Sequence, residues 1–300
     1  MGENKINITS TAVEKGIDLA KSFLDKLILP AIEEVGLLAK DQVTRWRFNN
    51  QVKMLTRSKA YCEQQGIAPK TISLKLLCPL LEYSGLEEDE ELQNKWAILL
   101  GNMVDSDQNI ENHVFPYILS QISQNEFDIT EKAAKDKWQR LAKLTIEYEN
   151  HKYETSDTEA NLQTELNDLN EKLGGVFYYN LTGDDRAKAL ALRRKKEIAN
   201  EQLKVIKETN LSFERRISRP QDIADNQLAD YEIANLIRLG LIKEVRDPYV
   251  ETQTLEIPND QERSHLTVEF DLDFGSEDSY ILTELGDLFI KACTEKFLTK

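Results

Sequence analysis

At 300 residues the chain exceeds the ~100–150 of a usual domain, so two or three folding units are expected. A formal net charge of −15 repels phosphate backbones and anionic lipid headgroups unless basic residues cluster locally, which argues against indiscriminate nucleic-acid binding. A hydrophobic share of 40% is enough for folded cores, and the scattered, odd-numbered cysteines Cys62, Cys78 and Cys293 fit a reducing cytoplasm rather than a disulfide framework. The first residues run into a charged amphipathic stretch, so no export is expected, and no apolar run reaches the ~18 residues that suggest a membrane span.

From Thr11 to about Lys40, Ile17, Ala20, Leu24, Leu27, Ile28, Ala31, Val35 and Leu38 keep the three-and-four spacing of one helical face. Pro30 divides that pattern, predicting a helical hairpin or a bent helix. Asp41 to Gln65 is again helical in period, with Gly66 as its C-terminal cap before Pro69. After the short apolar run Leu74–Tyr83, the acidic residues Glu87–Glu91 precede Leu92, Trp96, Leu99, Leu100 and Met103. Carboxylates favour the positive end of the helix dipole, so a helix from about Asp89 to Val104 is expected. Val114 to Ile122 adds another.

Between Ile129 and about Asn210 the chain becomes polar, and Leu162, Leu166, Leu169 and Leu173 are set among charges. Gly174-Gly175 and residues 177–183 interrupt it before Asp184 restarts a helix through Leu192, Ile198, Leu203 and Ile206. The expectation is an antiparallel pair of long helices. Its leucines allow a coiled-coil pairing without keeping a strict seven-residue seam. Beyond Pro220, a helix through Ile233–Leu239 is stopped by Gly240. Strands are expected at Leu241–Val245, His265–Phe274 and Tyr280–Leu282, and a closing helix at Leu285–Phe297. That order is winged-helix-like. The fold class is therefore mainly α: an N-terminal helical domain (1–128), a long helical hairpin arm (129–215) and a C-terminal winged-helix-like α+β unit (216–300).

Candidate chemistry is sparse. His113, His151 and His265 show no metal-ligand spacing, and His113, before Phe115-Pro116, suits capping or packing. Contiguous carboxylates at Glu87–Glu91 diverge around a helix axis and lack the spacing of a calcium loop. Trp96 and Trp138 lie on apolar faces and read as core or interface anchors; Arg45-Trp46-Arg47-Phe48 reads as an amphipathic helix edge with a phosphate or partner contact as the alternative. The basic run Arg193-Arg194-Lys195-Lys196 points around its helix among Asp184, Asp185, Glu197 and Glu201, so a solvated face is the default. Asp222, Asp225, Asp230, Glu232, Glu269, Asp271 and Asp273 load the C-terminal unit with negative charge, which favours protein contact over phosphate contact. No glycine-rich phosphate loop, nucleophile elbow or kinase signature appears. No catalytic, cofactor-binding or metal-ligating residue is assigned, and no cofactor is expected.

The stretch Pro69–Ser84, followed by Glu87–Gln93 and Trp96–Leu100, resembles the Abi-alpha family of bacterial proteins. His113–Leu119 with Gln121–Ser123, the upstream Gly16–Phe48, Leu239–Ile242, Leu282–Gly286 and Phe289–Cys293 continue the likeness, which leaves out the stretch 145–210. The resemblance implies a role in abortive infection, in which an infected bacterium stops growing or dies before phage release; it implies no catalytic residues. The expected function is thus a non-enzymatic, cytoplasmic antiphage defence protein that binds another protein, with self-association a further option and no specific nucleic acid. Two alternatives stand beside it. Ala12–Lys40 could dock on a membrane, although Glu14, Asp18, Asp25, Glu33 and Glu34 balance its lysines. The C-terminal unit could regulate through nucleic acid, using Arg238 and Lys243.

Overall fold

Residues close in sequence set several of the helix ends. The computed structural model describes residues 6–27, 42–107, 110, 112–174, 182–252 and 272–296. Helix α1 (Ile6–Leu27) and α2 (Gln42–Gln64) come first; Pro30 and the kink expected there lie outside the described residues. Gly66, at φ 66°, ends α2 in a left-handed cap: Ile67 N donates to Cys62 O at 2.8 Å and Gly66 N to Glu63 O at 3.3 Å. The same pair of bonds recurs where Gly240, at φ 73°, ends a helix. Both glycines sit where a Cβ would strain the backbone.

Helix α3 (Leu74–Ser84) leads to α4 (Glu90–Met103), whose N-cap Asp89 accepts from Glu91 N at 2.8 Å and Leu92 N at 3.0 Å. After α5 (Val114–Leu119), helix α6 (Gln124–Leu173) opens on a capping box: Ser123 N donates to Glu126 Oε2 at 2.6 Å and Glu126 N to Ser123 Oγ at 3.3 Å. This box starts the helix before Asp128 and carries it unbroken past residue 129. Helix α7 (Gly183–Ser218) is followed by a one-turn 3₁₀ segment (Asp225–Gln227), then α8 (Asp230–Arg238), strands β1 (Ile242–Thr252) and β2 (Leu272–Leu282), and α9 (Glu284–Cys293).

The two strands pair antiparallel, from Ile242 opposite Leu282 to Thr252 opposite Leu272. Separate strands were expected at His265–Phe274 and Tyr280–Leu282. The structure joins the described part of the first to the second, because Tyr249 opposite Gly275 and Val245 opposite Ser279 supply ladder partners where the side-chain pattern supplies no signal. Residues 265–271 lie outside the description. Helix α9 stops at Cys293, short of the expected Phe297, since Thr294 turns to extended backbone (φ −111°, ψ 153°).

The chain divides into two compact units, one of residues 1–134 with 222–300 and the other of residues 135–221. In the first, Phe23, Leu27, Met54, Leu77, Trp96, Leu100, Ile118 and Phe127 are essentially inaccessible. Phe289 of α9 meets Phe115 and Phe127 edge-on at 5.8 and 6.1 Å, so the C-terminal helix completes a core begun by the N-terminal ones. Gly101 lets α2 reach α4, as a Cβ there would overlap the Tyr61 ring. Gly286 does the same for α9, where a Cβ would strike the Leu241 carbonyl. In the second unit, Leu162 and Leu166 of α6 pack with Ala199, Leu203 and Ile206 of α7, one turn-spaced row against another. Each buried leucine contributes about 2 kcal/mol.

Candidate functional site

Four of the five carboxylates of the acidic run are engaged, each by its own partners. Glu87 Oε1 accepts from Glu88 N and Asp89 N, both at 3.1 Å, and Oε2 accepts from the indole N–H of Trp96 at 3.3 Å. Asp89 caps α4, Glu90 meets Arg57 Nη2 at 2.8 Å, and Glu91 accepts from Gln124 Nε2 at 2.9 Å. Asn50 Nδ2 and Gln93 Nε2 donate to the Glu87 carbonyl at 3.0 and 2.9 Å. The run is thus a structural hub around Trp96, which is fully buried. Among the described residues no group of three or more histidine, cysteine or acidic side chains converges as a metal site would.

A second polar node ties α2, α4 and the segment after α9. Buried Asn102 donates to Ala292 O at 2.9 Å and Thr294 O at 3.0 Å, and its Oδ1 accepts from Tyr61 Oη at 2.9 Å. Lys296 N donates to Tyr61 Oη at 3.3 Å, while its ammonium pairs with buried Asp105. Burial raises the Tyr61 phenol above its ordinary value and pushes the Cys62 thiol up to about 11, with the Asp105 charge adding to both. Cys293 is raised further by complete burial. These thiols are held in their protonated forms at neutral pH, unlike a thiolate nucleophile.

The third node is reciprocal. Glu126, third residue of the α6 start, accepts from Asn235 Nδ2 of α8 at 2.8 Å. Glu232, third residue of the α8 start, accepts from Asn125 Nδ2 of α6 at 3.0 Å and from Ala229 N at 2.8 Å. Ala229 has no side-chain acceptor, so only this half of a capping box forms. The bonds from Asn125 and Ala229 hold the Glu232 carboxyl below the ordinary glutamate range. Glu232, counted in sequence among the repelling surface acids, is therefore buried and bonded instead.

Other residues singled out in sequence stand apart from these nodes. His113 is exposed beside the start of α5 and makes no side-chain cap bond, and Trp46 and Arg47 are exposed. His265 is outside the described residues. Arg193, Arg194 and Lys195 are exposed, and Arg193 pairs with Glu197 at 3.4 Å. Arg238 donates to Asn235 Oδ1 at 2.7 Å and to Tyr117 Oη at 3.4 Å. The apolar residues Ala20, Phe23, Leu24 and Leu27 of α1 are buried, and α1 packs on α2. Among the described residues no helix is long and apolar enough to cross a membrane.

Exposed apolar side chains occur on both units, and on the helix pair several of them fall in helical register. On α6, Ile146 and Tyr153 are seven residues apart and 60% and 86% exposed; on α7, Leu190, Ile198 and Val205 are each 51–55% exposed. Seven residues are two helical turns, so Ile146 with Tyr153, and Ile198 with Val205, each share a face turned from the buried row. The sequence places exposed Ile198 on one helix with Leu203 and Ile206 and does not separate the buried row from the exposed one.

No curated protein and no solved structure matches the chain. The sequence does match the profile of a family described as abortive infection alpha over residues 49–293, which runs through the helix pair and leaves Gly16–Phe48 outside it. A match over that share of its length, spanning the acidic hub, the Asn102 node and the reciprocal exchange, makes the chain a member of the abortive infection alpha family.

Proposed function

We propose that the protein acts in antiphage defence without catalysis, by binding another protein through the exposed faces of the α6–α7 pair. The observation that carries this reading is the pair's exposed apolar side chains, with Tyr153 at 86% and Ile146 at 60%. Aromatic and aliphatic side chains of this kind anchor protein interfaces when a partner covers them. Family membership supports the defence role. The three polar nodes support a non-enzymatic reading, since their groups are engaged in holding helices to one another. A membrane-docking role for α1 is the weaker reading, because its apolar side chains from Ala20 to Leu27 are already used inside the first unit.

The test is plaquing and survival of infected cells expressing the intact chain, an Ile198→Lys/Val205→Lys variant, a Tyr153→Lys variant, or none. The intact chain is expected to reduce plaques and cause early death of infected cells. The variants are expected to lose protection while keeping the wild-type circular dichroism. Protection unchanged by either variant would remove the helix pair as the contact surface. Plaquing unchanged by the intact chain across a broad phage panel would remove the defence role.

A further inference from the structure

The end of the α6–α7 pair where the chain enters and leaves it is strongly basic. Residues 135–144 and 212–221 hold seven lysines and arginines against two acids, in a chain whose formal charge is −15. Four of those cations, Arg140, Lys143, Arg216 and Arg219, line a cavity of about 370 Å³ with Leu144 as its apolar wall. A neighbouring cavity of about 520 Å³ shares Arg216 and Arg219 and adds Arg215, with Glu208 as its carboxylate.

Local contacts order these cations. Arg140 Nη2 donates to Arg219 O at 2.7 Å, the Arg216 guanidinium lies 5.7 Å from the Phe213 ring centroid, and Lys143 Nζ is 3.9 Å from Glu147 Oε1. Phe213 in turn stacks on Tyr148 at 5.5 Å, and Tyr148 Oη donates to Glu214 at 3.1 Å. Arg140 Nε is enclosed and meets no acceptor, a costly state for a guanidinium N–H. Part of the clustering has a local cause, since Arg215 and Arg216 stand in the last turn of α7, where the helix dipole favours cations. Arg140 and Lys143, in the middle of a helix, have no such cause.

We propose that this cavity binds a small oligophosphate group. Guanidinium forks match phosphate oxygens in pairs, and several cations around one small space suit adjacent phosphates better than a single carboxylate. The cavity's volume lies within the range of small-molecule sites, and Arg216, Arg219 and Lys143 are reachable from solvent. Phe213 is covered by Tyr148 and Arg216, so the phosphates rather than a stacked base are what the cavity reads. A long nucleic-acid polymer is disfavoured by the chain's formal charge of −15. A modest turn of Arg140 gives its Nε the missing acceptor.

The experiment is calorimetric titration of the full chain with inorganic tripolyphosphate, at low and at physiological salt. Saturable binding is expected, weaker at higher salt, and about tenfold weaker in Lys143→Gln and in Arg216→Gln, each of which removes a charged contact. Lys195→Gln, from the exposed basic run, is expected to bind as wild type. The Lys143 side chain is 78% exposed, so its substitution leaves the helix packing intact and a lost signal there reports the ligand. Absence of saturable binding, or equal affinity in all variants, overturns the proposal. Single-stranded RNA and vesicles of anionic phospholipid form the other arms; if either binds through Lys143 and Arg216 while tripolyphosphate does not, the cavity serves a polymer or a surface and the proposal also fails.

Discussion

The two units are stabilised in different ways. In the first, buried polar bonds reach across the whole chain: Asn102 is bonded to residues 190 and 192 positions away, and Phe289 interlocks with Phe115 and Phe127. In the second, one row of side chains on α6 meets one on α7, and both helices leave charged and apolar residues exposed. Substitutions in the first unit therefore propagate through shared partners, whereas those in the second act on a single contact seam. The densely bonded and the thinly packed parts are thus separated along the chain.

The sharpest test of that separation is Trp96→Ala. It empties a fully buried site and strips Glu87 of its indole donor, so a loss of about 3–5 kcal/mol is expected from denaturant midpoints. Hydrogen exchange should show the loss in amides of the first unit; equal loosening of residues 150–170 would mean the units are not separable. Next comes Asn102→Leu, which takes the acceptor from the Tyr61 hydroxyl proton and the amide donor from the carbonyls of Ala292 and Thr294. About 2–3 kcal/mol is expected, with exchange rising first around α9. Leu203→Ala should cost about 2 kcal/mol, at the low end for a buried leucine because only two helix rows surround it. Its effect should stay within residues 135–221.

The smallest effect is a pH dependence. The Glu232 carboxyl is lowered on folding, so its stabilising contribution is complete above the ordinary glutamate value of 4.5 and is lost as pH falls through the lower folded value. The stability difference between wild type and Glu232→Gln should therefore be constant near neutrality and shrink on acidification. A difference that grows as pH falls would mean the bonds from Asn125 and Ala229 do not favour the carboxylate.

Local chemistry made much of this legible. The acidic start of α4, the stops at Gly66 and Gly240, the two long polar helices and the helix, strand, strand, helix order of the C-terminal part are all written within a few residues of where they act. What escaped has distant partners. Glu90 and Glu91 are engaged by Arg57 and Gln124, each 33 positions away, so the run read as a solvated helix start rather than a hub. Asn102 looks in sequence like any polar residue before a loop. The contiguous Arg193–Lys196 drew notice, while the basic cavity joins Arg140 and Lys143 to Arg216 and Arg219 only through the pairing of α6 with α7.

The exchange of bonds between Asn125 and Glu232, and between Asn235 and Glu126, has a topological meaning. The chain departs at Ala134 and comes back at Asp222, and these two bonds clasp the start of α6, before the departure, to α8, after the return. A closed clasp makes whatever lies beyond it an insertion, whose length and face can change while the body it leaves stays shut. The closure entropy of such a detour grows only slowly with its length. An engineered short turn in place of residues 135–221 should therefore leave a folded body behind.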